Sequence, residues 1–388
     1  MRVTHIITRL VIGGAQENTV ATVLGLREIP GLHVDLISGP TIGPEGSLEP
    51  LLAGRQELIR VPSLVRPVNP WQDFRAFSRL TSLLKSLRPD IVHTHSGKAG
   101  LLGRLAARRA RVQVIIHHIH GPSFGPFQGP VANSLFRSAE RYAARATNHF
   151  ICSAQAMARR YLAAGIGKPE MYTRIFSGFK VEPFLAAKND PALRRKLGFP
   201  PEAFVVGKIG RLVPLKGHKD LLLAARDVIK TEPNLRLLLV GDGPLRNELE
   251  HQATAYGLRD RVVFTGLVLP SEVAPCVGIM DCLVHLSYRE ALSRALPQAL
   301  AAGKPVIAYD FDGADEVCLP DQTGFLVRTG DTAAVTRHLL TLARDQDLRN
   351  RFGNRGRELV SKEFRVEDMV AGIHALYLRL LRQNSASP

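Results

Sequence analysis

The segment Phe204-Val205-Val206-Gly207-Lys208-Ile209-Gly210-Arg211-Leu212-Val213-Pro214-Leu215-Lys216-Gly217 decides the fold. Its first six residues carry a strand pattern, and a glycine-framed turn then leads into a helical stretch. A short apolar strand followed by a turn and a helix is the repeating unit of a parallel sheet covered on both faces. The same alternation continues downstream, with strands expected at 235–240, 262–265, 282–286 and 305–309. It also fills the upstream half, at 3–8, 33–37, 57–61, 91–93, 114–118 and 149–152. Between them lie amphipathic helices. In 73–87, Phe74, Phe77, Leu80, Leu84 and Leu87 recur at spacings of three and four, and Pro70 and Pro89 bracket the segment.

The two series are separated by a polar, proline-containing stretch from Glu182-Pro183 to Phe199-Pro200-Pro201, read as a linker. The expectation is an α/β chain of two doubly wound, Rossmann-like domains, 1–183 and 184–364. A last amphipathic helix, about 365–382, carries Met369, Ile373, Leu376 and Leu380 on one face and is expected to return to the first domain. No residue-level repeat relates the halves, so the likeness between them is architectural. Ligands of such folds bind outside the carboxyl ends of the strands, which places the expected site in a cleft between the domains.

Composition narrows the class. With 388 residues, 45% apolar, the chain has enough material for two cores, and only the polar tail from Gln383 onward is unsuited to burial. Neither a secretory leader nor a run of about 18 apolar residues is found, so a cytoplasmic protein without membrane spans is expected. Cys152, Cys276, Cys282 and Cys318 form no paired motif and fit a reducing compartment. The net charge of +16 is uneven: residues 1–180 hold 23 Lys and Arg against 10 Asp and Glu, the remainder 28 against 25. Such a field attracts anions, whether a phosphate-rich substrate or an acidic lipid surface on which the protein docks peripherally. Nucleic acid is not expected, because no binding module is present and few aromatic residues accompany the basic ones.

Two glycine turns follow strands. Gly13-Gly14-Ala15 precedes a helix beginning near Gln16, where small residues either let backbone amides approach a phosphate or merely form a tight turn. In the opening segment, Arg211 and Lys216 lie five residues apart behind Gly210 and can both reach one diphosphate, or be solvated surface cations. Three further clusters invite a metal reading: His93-Thr94-His95, the group His117, His118 and His120, and Asp310-Phe311-Asp312. His-X-His on a strand needs a convergent third ligand, and Asp310 to Asp312 reads as an acidic loop continuing to Gly313 and Glu316, so no metal is expected.

Further segments join these turns: Val92-His93-Thr94-His95-Ser96-Gly97-Lys98-Ala99-Gly100, His120-Gly121, Gly241-Asp242-Gly243-Pro244-Leu245, Ser287 to Gln298, and Ala301-Ala302-Gly303-Lys304-Pro305-Val306-Ile307. In this combination the chain resembles family 4 of the retaining GT-B glycosyltransferases over nearly its whole length, and within it the members that build bacterial surface polysaccharides. The resemblance implies a nucleotide diphosphate sugar donor, expected to be a UDP-sugar, a glycan or lipid-linked acceptor, and no metal or other cofactor. By it, His120 is the active-site histidine, Arg211 and Lys216 are the diphosphate clamp, and Glu290 is the first acid of a two-glutamate motif. Gln298 replaces the second acid; an amide can still accept a ribose hydroxyl but lacks the charge. Backbone at Gly13, Gly14, Gly210, Gly243, Leu292 and Ser293 would face the donor, the last two at a helix start, and His95 and Lys98 would face the acceptor or a phosphate. A sugar-nucleotide epimerase or a silent sugar-nucleotide-binding protein would share the architecture, and product analysis without an acceptor separates them from a transferase.

Overall fold

A computed structural model of the protein describes residues 1–43, 46–52, 58–125 and 127–385. The chain forms two compact units, Lys180–Phe364 and a unit made of Met1–Phe179 with the segment from Arg365 onward.

The first unit runs β1 (Arg2–Ile7), α1 (Gly14–Arg27), β2 (His33–Ser38), β3 (Leu58–Arg60), α2 (Pro70–Leu87), β4 (Ile91–His95), α3 (Gly97–Arg109), β5 (Val114–Ile119), α4 (Pro130–Ala144), β6 (His149–Cys152), α5 (Gln155–Ala163) and β7 (Tyr172–Arg174). Its strands pair in the order β3-β2-β1-β4-β5-β6-β7, all parallel. The helix expected from Asp73 starts earlier because Asn69 caps it, accepting from the Gln72 amide at 3.0 Å, and Pro70 occupies the first turn. Of the strand expected at 57–61, Glu57 lies outside the described residues.

The second unit contains α6 (Glu182–Leu185), α7 (Pro191–Lys196), β8 (Phe204–Ile209), α8 (His218–Val228), β9 (Leu235–Val240), α9 (Arg246–Ala255), β10 (Val262–Gly266), α10 (Pro270–Gly278), β11 (Cys282–His285), α11 (Ala295–Ala301), β12 (Val306–Tyr309), β13 (Gly324–Val327), α12 (Thr332–Arg344) and α13 (Gln346–Glu363). Its parallel strands are ordered β10-β9-β8-β11-β12-β13. The stretch read as a linker is folded into this unit. Arg194 of α7 donates to the Ala203 and Ile279 carbonyls and to the Asp281 carboxylate, each at 2.9 Å.

Two edge strands have no counterpart among the expected ones. Tyr172-Thr173-Arg174 is too short to show alternation, and β13 opens on Gly324, which reads as a breaker. The glycine is there for close approach: a Cβ on Gly324 would lie 1.8 Å from the Val306 carbonyl oxygen.

A final helix, α14 (Val366–Ser385), packs against α1 in the first unit's core, burying Met369, Ile373, Leu376, Tyr377 and Leu380 with Val20, Val23 and Leu26. The Met369 sulfur accepts from the Asn18 side-chain amide at 3.0 Å and from the Gly178 amide at 3.2 Å. Each sheet reverses its winding once, between β1 and β4 and between β8 and β11, and a ligand crevice opens at the carboxyl ends of the strands at such a point.

Candidate active site

In the second unit the loop after β8 meets the loop after β11. The sequence forces the contact: Leu215 and Gly217 have φ of 68° and 65°, and a Cβ on Gly217 would lie 1.9 Å from the Leu286 carbonyl oxygen. Ser287 Oγ donates to the Leu215 carbonyl at 3.2 Å, and the Tyr288 amide donates to the same oxygen at 2.8 Å. Lys216 Nζ is thereby brought 2.7 Å from Glu290 Oε1. The Glu290 amide donates to Asp312 Oδ2 at 3.0 Å, so the acidic 310–312 loop braces the site. Arg211 extends from the same loop as Lys216, exposed, with its carbonyl accepting from His218 Nε2 at 3.0 Å. Behind them the Gly241–Leu245 loop packs on this turn. A Cβ on Gly243 would fall 2.5 Å from the Leu212 carbonyl oxygen, so the glycine's demonstrated role is this approach.

Beneath the pair, Lys208 is buried, and burial followed by repulsion from Lys216 lowers its pKa to about 7, with Asp220 and Glu290 opposing. Asp220 accepts from Tyr288 and Tyr309 at 2.6 and 2.8 Å and ties α8 to the site. A small cavity is lined by Ser287, Glu290, Ser293 and Phe311 among others. One expectation shifts here. α11 begins at Ala295 with Arg294 as its cap, so Leu292 and Ser293 belong to the loop before the helix, and Gln298 lies half-buried within it.

In the first unit Gly13 is the cap of α1 and Gly14 its first residue, so the helix starts two residues before the expected position. His120 follows β5, half-buried, with Nε2 2.9 Å from His95 Nδ1. His95 is wholly buried, and its other nitrogen is 2.9 Å from His5 Nδ1. Contact between His95 and an acceptor therefore has no surface to act through, and His95 reaches the site by way of His120. Lys98 pairs with Asp73 at 2.5 Å and also donates to the Pro67 carbonyl, joining α3 to α2. Past His120, Ser123 Oγ donates to Glu140 at 3.0 Å, and Glu140 pairs with the buried Arg104 at 2.7 Å.

Sequence reading misses His5, Tyr377, Asp220, Lys208 and Asp312. Asp312 was visible only as part of an acidic triplet. His5 and Tyr377 stand at opposite ends of the chain, and no local signal joins them.

Residues 13–174 match the family described as glycosyl transferase 4-like domain, and residues 189–359 match glycosyl transferases group 1. The chain is 30% identical over 329 residues to the 2-deoxystreptamine N-acetyl-D-glucosaminyltransferase of Streptomyces fradiae, covering 79% of this chain and 74% of that one. It belongs to the family 4 glycosyltransferases. This glycosyltransferase is also 29% identical over 325 residues to the Escherichia coli UDP-Gal:alpha-D-GlcNAc-diphosphoundecaprenol alpha-1,3-galactosyltransferase, with 83% of each covered. The solved structure of Anabaena HepE in complex with UDP and glucose superimposes with a TM-score of 0.82 at 23% identity, over 97% of this chain and 99% of that one. At that identity it establishes the GT-B fold.

Proposed function

We propose that this glycosyltransferase moves a sugar from a UDP-sugar, with retention of configuration and without a metal, to a lipid-linked or glycan acceptor of bacterial surface polysaccharide. The observation that carries the reading is the contact of Lys216 with Glu290 at the winding reversal of the second sheet. A cation and an acid held together there can serve the two parts of one donor. Lys216 and Arg211 oppose the charge that grows on the departing diphosphate, while Glu290 binds sugar hydroxyls and Gln298 the ribose. Amides of Leu292 and Ser293 and the backbone at Gly210 and Gly243 line the diphosphate path. Gly13, Gly14 and His120 hold the donor sugar, and Lys98 serves the acceptor side.

In the proposed step the acceptor oxygen bonds to the anomeric carbon on the face from which the diphosphate leaves. The anomeric carbon–oxygen bond breaks, and the acceptor proton passes to the leaving phosphate oxygen. The two related transferases above, whose names give UDP-Gal and a diphosphoundecaprenol acceptor in one case and N-acetylglucosaminyl transfer in the other, support the donor and acceptor classes. Incubation with a panel of sugar nucleotides and a prenyl-diphosphate-linked sugar, in EDTA, should release UDP and give a product whose new linkage is α by NMR. An inverted linkage would reject the mechanism, and loss of turnover in EDTA restored by Mg²⁺ would reject metal independence.

An acceptor of this class supports work at the cytoplasmic face of a membrane as part of the same proposal. No helix among the described residues is long and apolar enough to cross one. Instead α2 and α4 expose Trp71, Phe74, Val131 and Leu135, and a separate groove sets Phe77, Leu105 and Tyr142 beside Arg108, Arg109 and Arg145. Apolar side chains beside arginines suit an anionic leaflet. Co-sedimentation with phosphatidylglycerol vesicles at low salt, absent with phosphatidylcholine, is expected; equal behaviour with both would remove the membrane from the reading.

A further inference from the structure

Five histidines line one face of the first sheet. Register pairs His5 of β1 with His93 of β4, and His95 of β4 with His118 of β5. Because side chains alternate along a strand, His5, His93, His95, His118 and His120 all share that face, while His117 points to the other and bonds Thr94 at 2.9 Å. The face is the one covered by α1 and α14. Here the hydrogen bonds are continuous. His120 Nε2 meets His95 Nδ1 at 2.9 Å, and His95 Nε2 meets His5 Nδ1 at 2.9 Å. His5 Nε2 then meets the Tyr377 hydroxyl at 3.3 Å, which meets His93 Nδ1 at 2.6 Å.

A metal is the obvious alternative occupant, since His5, His93 and His95, and also His95, His118 and His120, bring ligand nitrogens within 4.8 Å of one another. The ring planes argue against it. Imidazole binds a metal through an in-plane lone pair, so three ligands converge only if their planes fan around the ion. Here the planes differ by only 15°, 27° and 42° within His5, His93 and His95, and by 17°, 21° and 35° within His95, His118 and His120, short of such a fan. Such rings suit nitrogen-to-nitrogen hydrogen bonds, and the bonded nitrogens already sit at that distance.

Burial holds these rings neutral: His5 is lowered to about 3, and His93 and His95 well below their ordinary value. A neutral imidazole carries one N–H, so every link has a direction, and two arrangements satisfy the whole chain with the Tyr377 hydroxyl proton also bonded. Either the protons all point from His120 toward Tyr377 and His93, or all point the other way. They differ at His93 Nε2, which is buried without a partner. The first arrangement leaves an N–H there, the second only a lone pair, and an orphaned donor is the rarer and costlier state. The second arrangement is therefore favoured, and it leaves His120 with its proton on Nδ1.

We propose that Tyr377, His5 and His95 are positioning residues that fix the tautomer of His120, so that its Nδ1–H is presented to the substrate as a hydrogen-bond donor. The consequence for turnover rests on the proposed role of His120 as a donor-sugar contact; the tautomer itself does not.

The test is NMR of ring nitrogens in protein labelled with 15N-histidine, the His120 signals being those missing from His120→Asn. Wild type should show His120 with Nδ1 protonated, and His5→Met, which offers His95 Nε2 a thioether acceptor and no donor, should reverse the link and shift the His120 proton toward Nε2. Tyr377→Met, which offers the same acceptor to His5 Nε2 one link further away, should do the same and serves if His5→Met does not fold. Turnover should fall about tenfold in His5→Met with KM little changed, and by no further factor on the His120→Asn background. An unaltered His120 tautomer in both variants overturns the proposal, as does tight binding of one Co²⁺ with a tetrahedral d–d spectrum lost in His95→Ala. A shifted tautomer with His120→Asn fully active would leave the chain standing and remove His120 from the reaction.

Discussion

Lys216 is held by one acidic partner at 2.7 Å, and both are partly exposed. An exposed pair of this kind adds little stability, so its use must be sought in what it does for a ligand. If Lys216 answers the charge on the leaving diphosphate, Lys216→Ala should lower kcat by about a hundredfold or more, as loss of one preorganised donor does elsewhere, with the melting temperature nearly unchanged. Glu290→Gln should raise KM for the donor more than it lowers kcat, because a hydroxyl contact made in the ground state is being weakened. Steady-state kinetics on both variants decide this, and an unchanged kcat in Lys216→Ala removes that residue from the chemistry. Lys216 drew attention by its place in a glycine-framed turn after a strand, Glu290 only through the family resemblance of the 287–298 segment. Their mutual contact was not legible, because 74 residues separate them and only the left-handed turn at Leu215 and Gly217 brings the loops together.

At the scale of elements, α3 shows how glycine spacing serves a helix rather than breaking it. Gly97, Gly100 and Gly103 recur every three residues, and the last two face the sheet. A Cβ on Gly100 would lie 2.4 Å from His117 Cε1, and one on Gly103 2.8 Å from Thr94 Cγ2, which are the two side chains bonded to each other across β4 and β5. Gly100→Ala should therefore destabilise the protein by about 1–3 kcal/mol through overpacking. Gly97→Ala, with its nearest neighbour at 4.0 Å, should cost far less. Denaturant midpoints for the pair test this, and equal losses would show that α3 can lift without penalty. The same elements mark the reach of sequence reading. Strands β1, β4, β5 and β8 were plain from their apolar runs. The edge strands β7 and β13 were not, since three residues show no period and a glycine needed for close approach looks like a turn. Likewise the row of five histidines was half visible, as His93-Thr94-His95 and the group His117, His118 and His120, but which strand lies beside which is set by the winding of the sheet. His5 joins the row only because β1 is the neighbour of β4.

For the whole molecule, the uneven placement of imidazoles predicts an uneven response to acid. His5, His93, His95, His117, His118 and His120, and less deeply His149, have proton affinities lowered by burial in the first unit, against His218, His285 and the less buried His338 in the second. In the unfolded chain each returns to a pKa near 6.5. Between that value and about 3, the figure reached by His5 and His120, the unfolded state binds protons that the folded state refuses, so stability falls as pH falls through this window. Each such histidine contributes about 1.4 kcal/mol per pH unit, and the first six together about 8 per pH unit, against a typical domain stability of about 5–15 kcal/mol. The first unit should therefore open near about pH 5, where the second, with fewer such groups, still holds. Hydrogen exchange followed through an acid titration should show β1, β4 and β5 losing protection before β8 and β11. His118→Leu, which removes a buried ring whose two nitrogens have no partner, should move that opening to lower pH. Simultaneous loss of both units, or protection of the first persisting below about pH 4, would mean that these histidines are already charged or solvated in the native protein, and the neutral chain leading to His120 would fall with that result.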